Sequence, residues 1–428
     1  MKLYQTLIMV SVAVLFACAL SAAPSQHKVL TVDLSGPVTP AQEELLEDAL
    51  AETRDNGYIN LLIQLDTPGG LAESMRNMVK LILNSEVPVT VWVTPSGARA
   101  ASAGVFLVAA ADLAVMSPQT TIGSASPVDV SGSAPDETMS KKIVNDLLSL
   151  IKSVARERNR NVQWYESAVL ESANLEAGEA LQEKVIDLIA LSREDLLAQM
   201  GKRGVRVHNE EIFFAAEDVE IVDFEPGLKY KLLSWLLHPQ IAYLLFLGGL
   251  AGLFFEFSNP GAIYPGVTGA FCLILGLYSL SVLPTNAAGI LLLVLGFILI
   301  IIEVNVPTFG LLTAAALVSF FFGSLFLFDP QYPFFQLPVM TIIPIIIVLT
   351  AVLLALAYLI GKSQMAPTTS ETGIHTDTVQ VLRWNGQEGK VKVRGEIWNA
   401  RSPEPVDITP GQKVKIDRIE GMTIYVKP

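Results

Sequence analysis

A serine in a run of small side chains is the first residue of this chain that could do covalent chemistry. Ser102 stands in the segment ARAASAG, residues 98–104. When a serine lies on a sharp turn between a strand and a helix, small neighbours keep its hydroxyl accessible, and the positive end of the helix stabilises developing negative charge. The segment therefore fits a nucleophile at Ser102, although a small serine that only packs a buried helix would give the same pattern.

A nucleophilic serine needs a base, and the surrounding chain offers lysine rather than histidine. The four histidines stand at the margins of the first domain, near the membrane segment or in the tail, at His27, His208, His238 and His375. A lysine can act as the base where burial disfavours its charged form and so lowers its pKa. Lys141 and Lys142 begin a helix whose apolar face should dock on a sheet and carry a lysine toward a partly buried cleft. A solvated lysine at a helix start is the commoner alternative.

Two adjacent glycines could complete the site by binding the negative charge of a reaction intermediate. Gly69 and Gly70 end the segment DTPGG, residues 66–70, where a strand runs into a helix. Glycine lets backbone N–H groups approach a ligand closely, and such groups at a helix N-terminus form a natural oxyanion site. A plain strand–turn–helix corner has the same sequence, so the pair alone leaves both possibilities open.

Strands and helices alternate through residues 24–230 and would position these three segments. Apolar runs and apolar spacing predict strands at 29–34, 61–65, 89–93, 112–116 and 186–190, helices at 40–54, 70–83, 98–111 and 140–158, a helix pair over 162–181 and a hairpin-like pair over 211–221. Segment 98–111 should start as a tight turn and continue as a buried helix. Alternating strands and helices favour a parallel sheet built from βα units.

The first 23 residues have the pattern of a secretory signal peptide. A lysine at position 2 precedes an apolar run over residues 7–20, and small residues follow it. Cleavage is expected near Ala22 or Ala23, which would export the first domain. A retained N-terminal anchor and a lipoprotein signal at Cys18 are the alternatives, and Phe16 fits the second poorly.

Residues 240–361 are almost continuously apolar and predict a membrane domain of about five helices, with four as an alternative. We place the spans at 241–257, 266–283, 289–304, 311–328 and 339–359, joined in part by very short loops that impose antiparallel hairpins. Glu256 and Glu303 fall at span ends, where a carboxylate costs less than at mid-bilayer. With an exported N-terminus, five spans put the C-terminus in the cytoplasm, and Lys362 agrees with the positive-inside tendency.

The tail, residues 370–428, returns to a polar and charged composition. Short runs predict five strands at 378–382, 388–393, 396–399, 413–419 and 423–426, separated by glycine-containing turns. Five strands in so short a stretch favour a small closed barrel of the OB type.

Composition excludes several classes of function. The formal net charge is −13 and no basic stripe is present, which argues against nucleic acid as a partner. Trp384 and Trp398 in the tail lie near a few basic residues, but barrel packing and protein contact explain them better. The two cysteines, Cys18 and Cys272, fall in the leader and in a span, which excludes a disulfide framework and a cysteine-based metal site in the mature soluble parts.

Together these segments resemble the long-form NfeD family, whose members are membrane-bound proteases related to ClpP and to signal peptide peptidase A. The motifs are DTPGG, ARAASAG, TIGSASPV at 121–128 and a lysine-starting helix, followed by the multi-span region and a tail containing VRGEIWNARS at 393–402. Each motif alone is modest, but their combination is specific and covers nearly the whole chain. The resemblance implies an α/β ClpP/crotonase-like domain over 24–230, a multi-span helical membrane domain over 240–361 and a C-terminal all-β OB-fold barrel over 370–428.

The resemblance also implies a role for each site residue. By motif, Ser102 matches the nucleophile and Lys142 the general base, while the two glycines of DTPGG would bind the oxyanion. Ala103 and Gly104 would shape the nucleophile turn. Such a serine–lysine dyad needs no cofactor and no metal.

Three features complicate this assignment. Lys141 is adjacent to Lys142 and points about 100° away around the helix, so it remains a fallback base. Lys184 stands where the family often has glycine before its late strand. A polar loop over residues 130–138 precedes the lysine helix, so Lys142 could reach Ser102 only on substrate binding or oligomerisation.

The leading hypothesis is an endopeptidase of the cytoplasmic or inner membrane, with its protease domain on the extracytoplasmic side. The resemblance suggests a hydrophobic segment of a stomatin-like membrane protein as substrate and a homo-oligomer as the working form. The alternative is a non-catalytic membrane scaffold that partners stomatin-like proteins, since a fold alone does not fix function. Acyl-CoA chemistry of the crotonase type is disfavoured by export, because its substrate is cytoplasmic.

Overall fold

The computed structural model of the protein describes residues 27–127, 137–207, 210–258, 263–306, 308, 310–365, 378–393 and 395–427. The predicted signal peptide and most of the loop at 130–138 lie outside the described residues. The chain divides into two units, Met1–Ile347 and Val348–Pro428.

Six strands form a parallel sheet at the centre of the α/β domain: β1 (His27–Ser35), β2 (Asn60–Asp66), β3 (Val89–Val93), β5 (Leu113–Met116), β8 (Leu188–Ile189) and β11 (Val219–Asp223). Their order is β11-β1-β2-β3-β5-β8, and every neighbouring pair is parallel. All five residues of β3 are buried, because helices cover both faces of the sheet. The parallel arrangement brings the carboxyl ends of β2 and β3 to one edge.

Helices on both faces supply the rest of the core of this domain: α1 (Pro40–Asp55), α2 (Ala72–Leu83), α3 (Ala103–Ala110), α4 (Glu137–Glu157), α5 (Val162–Leu170), α6 (Ala177–Gln182) and α7 (Arg193–Arg203). The larger core cluster includes the apolar side of α2 and the whole of α3. The smaller cluster lies on the other face, where α7 packs against Leu62, Trp92 and Val115. The predicted α/β class with a parallel sheet is confirmed.

A smaller sheet, not predicted from the sequence, holds the segment that leads into Ser102. It consists of β4 (Arg99–Ala101), β6 (Thr121–Gly123) and β7 (Asn174–Glu176), in the order β4-β6-β7. The tight turn expected at the start of 98–111 therefore lies further along, at Ser102, between a short strand and the predicted buried helix. The residues of β4 are extended because their backbone pairs with β6 and also bridges to Thr67 after β2.

The hairpin-like pair expected over 211–221 is wrong in its second half. β9 (Val205–Val207) and β10 (Glu210–Ile212) form an antiparallel pair. Val219–Asp223 instead pairs with β1 at the edge of the main sheet. Its apolar side chains pack against the smaller core cluster there, and the open edge of β1 gains backbone partners.

A short helix leads from the α/β domain into five apolar helices: α8 (Leu228–Leu236), α9 (Pro239–Ser258), α10 (Ile263–Val282), α11 (Ala287–Asn305), α12 (Leu311–Leu325) and α13 (Val339–Met365). Within the described part of the chain, four segments are long and apolar enough to cross a membrane, at Pro239–Phe257, Ile263–Val282, Ala287–Val304 and Pro333–Val352, whereas α12 has 15 residues. A helix therefore stands at each of the five predicted spans, and four of the five reach spanning length.

Glycines bring the apolar helices together in two antiparallel pairs. Between α9 and α10, a Cβ added at Gly252 would lie 2.7 Å from the Cα of Gly269. Between α11 and α12, a Cβ added at Gly323 would lie 2.9 Å from the backbone nitrogen of Leu293. Small residues are needed at such crossings, because helices in lipid associate by close backbone packing.

The second unit ends in a closed five-stranded barrel, as the tail predicts: β12 (Thr378–Asn385), β13 (Glu388–Val393), β14 (Glu396–Arg401), β15 (Lys413–Glu420) and β16 (Thr423–Lys427). The order is β12-β13-β14-β16-β15. Alternating valine and isoleucine side chains fill its interior. The barrel is an OB-type fold.

Candidate active site

Ser102 lies on a strained turn between β4 and α3. Its backbone has φ 51° and ψ −109°, a conformation rarely adopted outside glycine. The Ser102 N–H donates to the carbonyl of Gly123 at 3.1 Å, which pins the turn to β6. A serine on a strained turn that opens a helix is the geometry of an accessible nucleophile.

The helix that starts at Ser102 is buried along its whole length, and two arginines cap its far end. Arg160 donates to the carbonyls of Val108 at 3.1 Å and Ala109 at 2.8 Å. Arg158 donates to the carbonyl of Ala110 at 2.9 Å. Cations at a helix C-terminus satisfy its last carbonyls and oppose the negative end of its dipole. The two arginines therefore stabilise the nucleophile helix from the end opposite Ser102.

Arg160 is itself held by a buried network. Its side chain is 2% exposed and pairs with Asp187 at 2.6 Å. The same carboxylate accepts from the N–H of Ala114 at 2.8 Å. Burial raises the pKa of nearby Tyr165, so its phenol stays neutral and donates to the carbonyl of Val185 at 2.9 Å. Sequence reasoning missed this network, because two arginines just after a helix look like ordinary surface charges.

Gly69 packs directly against the serine. A Cβ added at Gly69 would lie 2.6 Å from the Cβ of Ser102 and 3.1 Å from its Oγ. Gly69 has φ +115° and its carbonyl accepts from the N–H of Val38 at 2.8 Å. The two segments that the sequence singled out separately are thus in contact, and only glycine fits between them.

Thr67 joins the glycine segment to the nucleophile segment. It is fully buried, donates its N–H to the carbonyl of Arg99 at 2.8 Å and accepts from the N–H of Ala101 at 3.0 Å. Its hydroxyl oxygen lies 3.1 Å from both the nitrogen and the carbonyl oxygen of Gly69. Its methyl group would lie 2.7 Å from a Cβ added at Gly104. One side chain therefore fixes the spacing between the glycines and the serine helix.

The backbone N–H groups near Ser102 differ in how they are used. The Gly69 N–H donates to the Thr67 hydroxyl. Among the described residues, no acceptor is found for the Gly70 N–H, and Ala103, as the first residue of α3, has no acceptor within its helix. Gly70 and Ala103 thus carry N–H groups without an acceptor among the described residues, while a Cβ at Gly69 or Gly104 would collide with Ser102 or Thr67.

The predicted lysines lie on α4, near the edge of the domain. Lys141 and Lys142 are both exposed, and Ile143 is 44% exposed. The expectation of a partly buried lysine is not met in this conformation, because α4 enters the core only from Leu147 onward. Residues 128–136, which precede this helix, lie outside the described part of the chain.

The ion pair one turn along α4 indicates which way this face points. Asp146 lies four residues after Lys142 and therefore on the same side of the helix. Its carboxylate pairs with the guanidinium of Arg76 on α2, the helix that follows the glycine segment. The Lys142 face of α4 thus points toward α2, whereas Lys141 is turned about 100° away from it.

The rim of the site meets a loop of the membrane domain. The guanidinium of Arg99, three residues before Ser102, lies 5.5 Å from the ring centroid of Phe334. Phe334 belongs to the connection between α12 and α13, where neighbouring Phe335 is buried. The nucleophile segment is therefore close to an aromatic residue presented by the membrane domain.

No cluster of three or more histidine, cysteine, aspartate or glutamate side chains that could hold a metal ion occurs among the described residues. The groups that the structure gathers around Ser102 are its hydroxyl and backbone N–H groups.

Comparison with known proteins places the whole chain in one family. Family models match three stretches: the NfeD1b N-terminal domain over residues 28–213, the NfeD integral membrane domain over 240–359, and the NfeD-like C-terminal, partner-binding domain over 376–428. The membrane-bound protease PH1510 of Pyrococcus horikoshii is 31% identical over 415 residues, which cover 94% of this chain and 93% of that protein. The membrane protein NfeD1b of Bacillus subtilis is 27% identical over 315 residues, covering 72% of this chain and 69% of that protein.

Solved structures of an N-terminal protease domain are also similar. The 1510-N membrane protease specific for a stomatin homolog, from Pyrococcus horikoshii, is 27% identical with a TM-score of 0.41, covering 49% of this chain and 98% of that one. A lysine-to-alanine mutant of the 1510-N membrane-bound stomatin-specific protease, in complex with a substrate peptide, is 28% identical with a TM-score of 0.45, covering 50% of this chain and 98% of that one.

Proposed function

This chain belongs to the NfeD family of membrane proteases, and from that premise we propose that it is a serine endopeptidase in which Ser102 is the nucleophile and Lys142 the general base. The observation that carries the proposal is the contact between Gly69 and Ser102. It sets a strained serine beside a pair of glycines at the positive end of a buried helix.

The proposed reaction uses these groups in two steps. The Ser102 Oγ attacks the peptide carbonyl carbon while its proton passes to the Lys142 amine, and the N–H groups of Gly70 and Ala103 bind the resulting oxyanion. The C–N bond then breaks, and the leaving amine takes the proton from Lys142. A water molecule next attacks the ester carbonyl carbon and gives a proton to Lys142, the C–O bond to Ser102 breaks, and the Ser102 oxygen takes that proton from Lys142.

The lysine must be covered before it can act as a base at neutral pH. A neutral amine is favoured when substrate or a second copy of the chain excludes water from it. Exposed Ile143 next to Lys142 is an apolar contact that such a cover could use. We therefore propose that the working form is a homo-oligomer or substrate complex, in which the start of α4 closes over Ser102.

The proposed substrate is a hydrophobic segment of a membrane-associated protein. The 1510-N relative is described as specific for a stomatin homolog, and by similarity a stomatin-like protein is the proposed substrate here. Phe334 adds an apolar surface beside Arg99, at the rim of the site. The C-terminal barrel matches a partner-binding domain, which supports a protein as its ligand.

The proposed orientation follows from the leader and the span count. An exported N-terminus places the protease domain on the extracytoplasmic side of the membrane, and an odd number of spans places the barrel in the cytoplasm. Helix α12, with 15 residues, is the element on which this parity depends.

The second candidate is a membrane scaffold without catalysis. The exposed position of Lys142 and the similarity to a Bacillus subtilis protein described only as a membrane protein favour it. A scaffold has no use for a serine held at φ 51°, a strain that costs about 1–3 kcal/mol. The endopeptidase is therefore the better supported of the two.

The full-length protein in nanodiscs, incubated with casein and with apolar peptides, tests the proposal. We expect cleavage by the parent chain and its loss, by about 10³-fold or more, in Ser102→Ala and in Lys142→Ala. Lys141→Ala is the matched control and should retain activity. Loss in Lys141→Ala with retention in Lys142→Ala would move the base to Lys141. Absence of cleavage by a folded parent would favour the scaffold.

A further inference from the structure

Helix α8 is attached to the α/β domain along one side. The ammonium group of Lys229 pairs with the Glu44 carboxylate of α1, and this hydrogen bond raises the pKa of Lys229. Tyr230 packs on the larger core cluster, and Leu236 at the end of the helix is buried. The helix is therefore a fixed part of the domain surface.

A second side of α8, next to the attached one, carries an exposed apolar row. Leu228, Leu232 and Trp235 are 85%, 65% and 51% exposed. Their spacing of four and three residues places them on one face of the helix. Three large apolar side chains so exposed on nine residues are costly in water, which indicates that something covers them.

The position of α8 next to the first membrane-spanning segment indicates what covers this apolar row. The helix ends three residues before Pro239, where the first membrane-spanning segment begins. Leu232 lines a groove together with Tyr278, which lies near the end of the second spanning segment and is 48% exposed. The apolar row therefore stands at the level where the spans leave the bilayer.

The types of residue at this level also fit a lipid interface. Tryptophan and tyrosine concentrate where acyl chains meet headgroups, and Trp235 and Tyr278 are both there. Lys231 and His238 are exposed on the flank of the row, where they can face headgroups.

We propose that α8 lies in the bilayer interface and that its occupant is lipid, with Leu228, Leu232 and Trp235 inserted at the boundary of headgroups and acyl chains. An amphipathic helix of this kind binds through its apolar face while lying parallel to the membrane plane. Because α8 is fixed to α1, this insertion holds the α/β domain at a set height above the membrane. The proposal is independent of whether the domain cleaves peptides.

Spin labelling of the full-length protein in nanodiscs of phosphatidylcholine and phosphatidylglycerol tests this directly. A nitroxide is attached in a Cys18→Ala, Cys272→Ala background at Leu232→Cys, with Glu225→Cys as the control just before the helix. At position 232 we expect collisions with oxygen to exceed those with a water-soluble nickel complex by roughly threefold or more, and the reverse at 225. Nickel collisions equal to oxygen collisions at 232 would show a helix in water. Low collision rates for both would show that protein, such as a second copy of the chain, covers it. Either result overturns the proposal.

A measurement without labels provides a second test. Brominated acyl chains in the nanodisc quench only nearby tryptophans. Trp235→Phe should remove most of the quenchable fluorescence, whereas Trp164→Phe, which changes a buried tryptophan of the α/β domain, should leave it unchanged. Equal quenching in the parent and in Trp235→Phe would contradict the insertion.

Discussion

The two halves of the proposed dyad are held in opposite ways. The Ser102 half is fixed by backbone pairing, by the buried Thr67 and by arginines at the far end of its helix. The Lys142 half stands on the exposed start of a helix that reaches the core one turn later. In the proposed mechanism, this difference means that the nucleophile and the oxyanion donors are preorganised and that the base is delivered by an assembly step.

Among substitutions outside the proposed dyad, one at Gly69, which lies in close contact with Ser102, should lower catalytic activity the most. In Gly69→Ala, the new Cβ would collide with Ser102, and we expect kcat/KM to fall by about 10²–10³-fold. Gly97→Ala is the matched control: Gly97 also has a positive φ, of +88°, but its Cβ would meet nothing within 4 Å. Equal losses in both variants would mean that backbone strain, and not the contact with Ser102, explains the effect.

Removing Arg160, which caps the far end of α3, should lower the free energy of unfolding. Arg160→Met removes the 2.6 Å partner of Asp187, a carboxylate that is 19% exposed, and frees two carbonyls of α3, at a cost of about 3 kcal/mol in the free energy of unfolding. Thermal or urea unfolding in detergent measures it. Arg156→Met, which changes an exposed arginine in the last turn of α4, should cost under about 0.5 kcal/mol. A stable Arg160→Met would show that the network does not hold the helix.

Loosening the link between the glycines and the serine should lower turnover with little effect on substrate binding. Thr67→Val keeps the shape of the side chain but removes the hydroxyl that lies against Gly69, and we expect kcat to fall by about tenfold to 10²-fold at unchanged KM. Thr67→Ser keeps the hydroxyl and should retain most of kcat. The opposite ranking would assign the effect to the methyl packing against Gly104.

A substitution near the lysine half of the proposed dyad should have the smallest effect, and it should change catalytic activity rather than folding stability. Asp146→Asn breaks an exposed ion pair with Arg76, which contributes about 0–1 kcal/mol to folding, but it frees the turn next to Lys142. We expect a change of a few-fold in kcat/KM with the melting temperature unchanged. Lys152→Gln, which breaks the 3.0 Å pair with Glu166 further along α4, is the control that should change neither. A large stability loss in Asp146→Asn would show that this half is as firmly held as the other.

Much of the fold followed from local patterns. Short, mostly apolar runs such as residues 61–65 and 89–93 favour strands buried on both faces, and long apolar segments without charge favour spans or buried helices. All five strands of the tail begin where the sequence predicts, and four of them run one to three residues further than predicted. The small sheet around β4 was missed, since three residues of alanine and arginine carry no strand signal and become extended only through their partners.

The sequence by itself determined the chemical groups: a serine among small residues, a glycine pair after a strand, and no histidine between them. Only the tertiary structure decided that Gly69 touches Ser102, that Thr67 joins them and that Arg160 caps the serine helix. It also decided that Lys142 is exposed, although its spacing along the helix gave the expected apolar face. The physical reason is that residue type and local period are properties of a short segment. A contact between residues 33 or more positions apart depends on how the whole sheet and its helices pack.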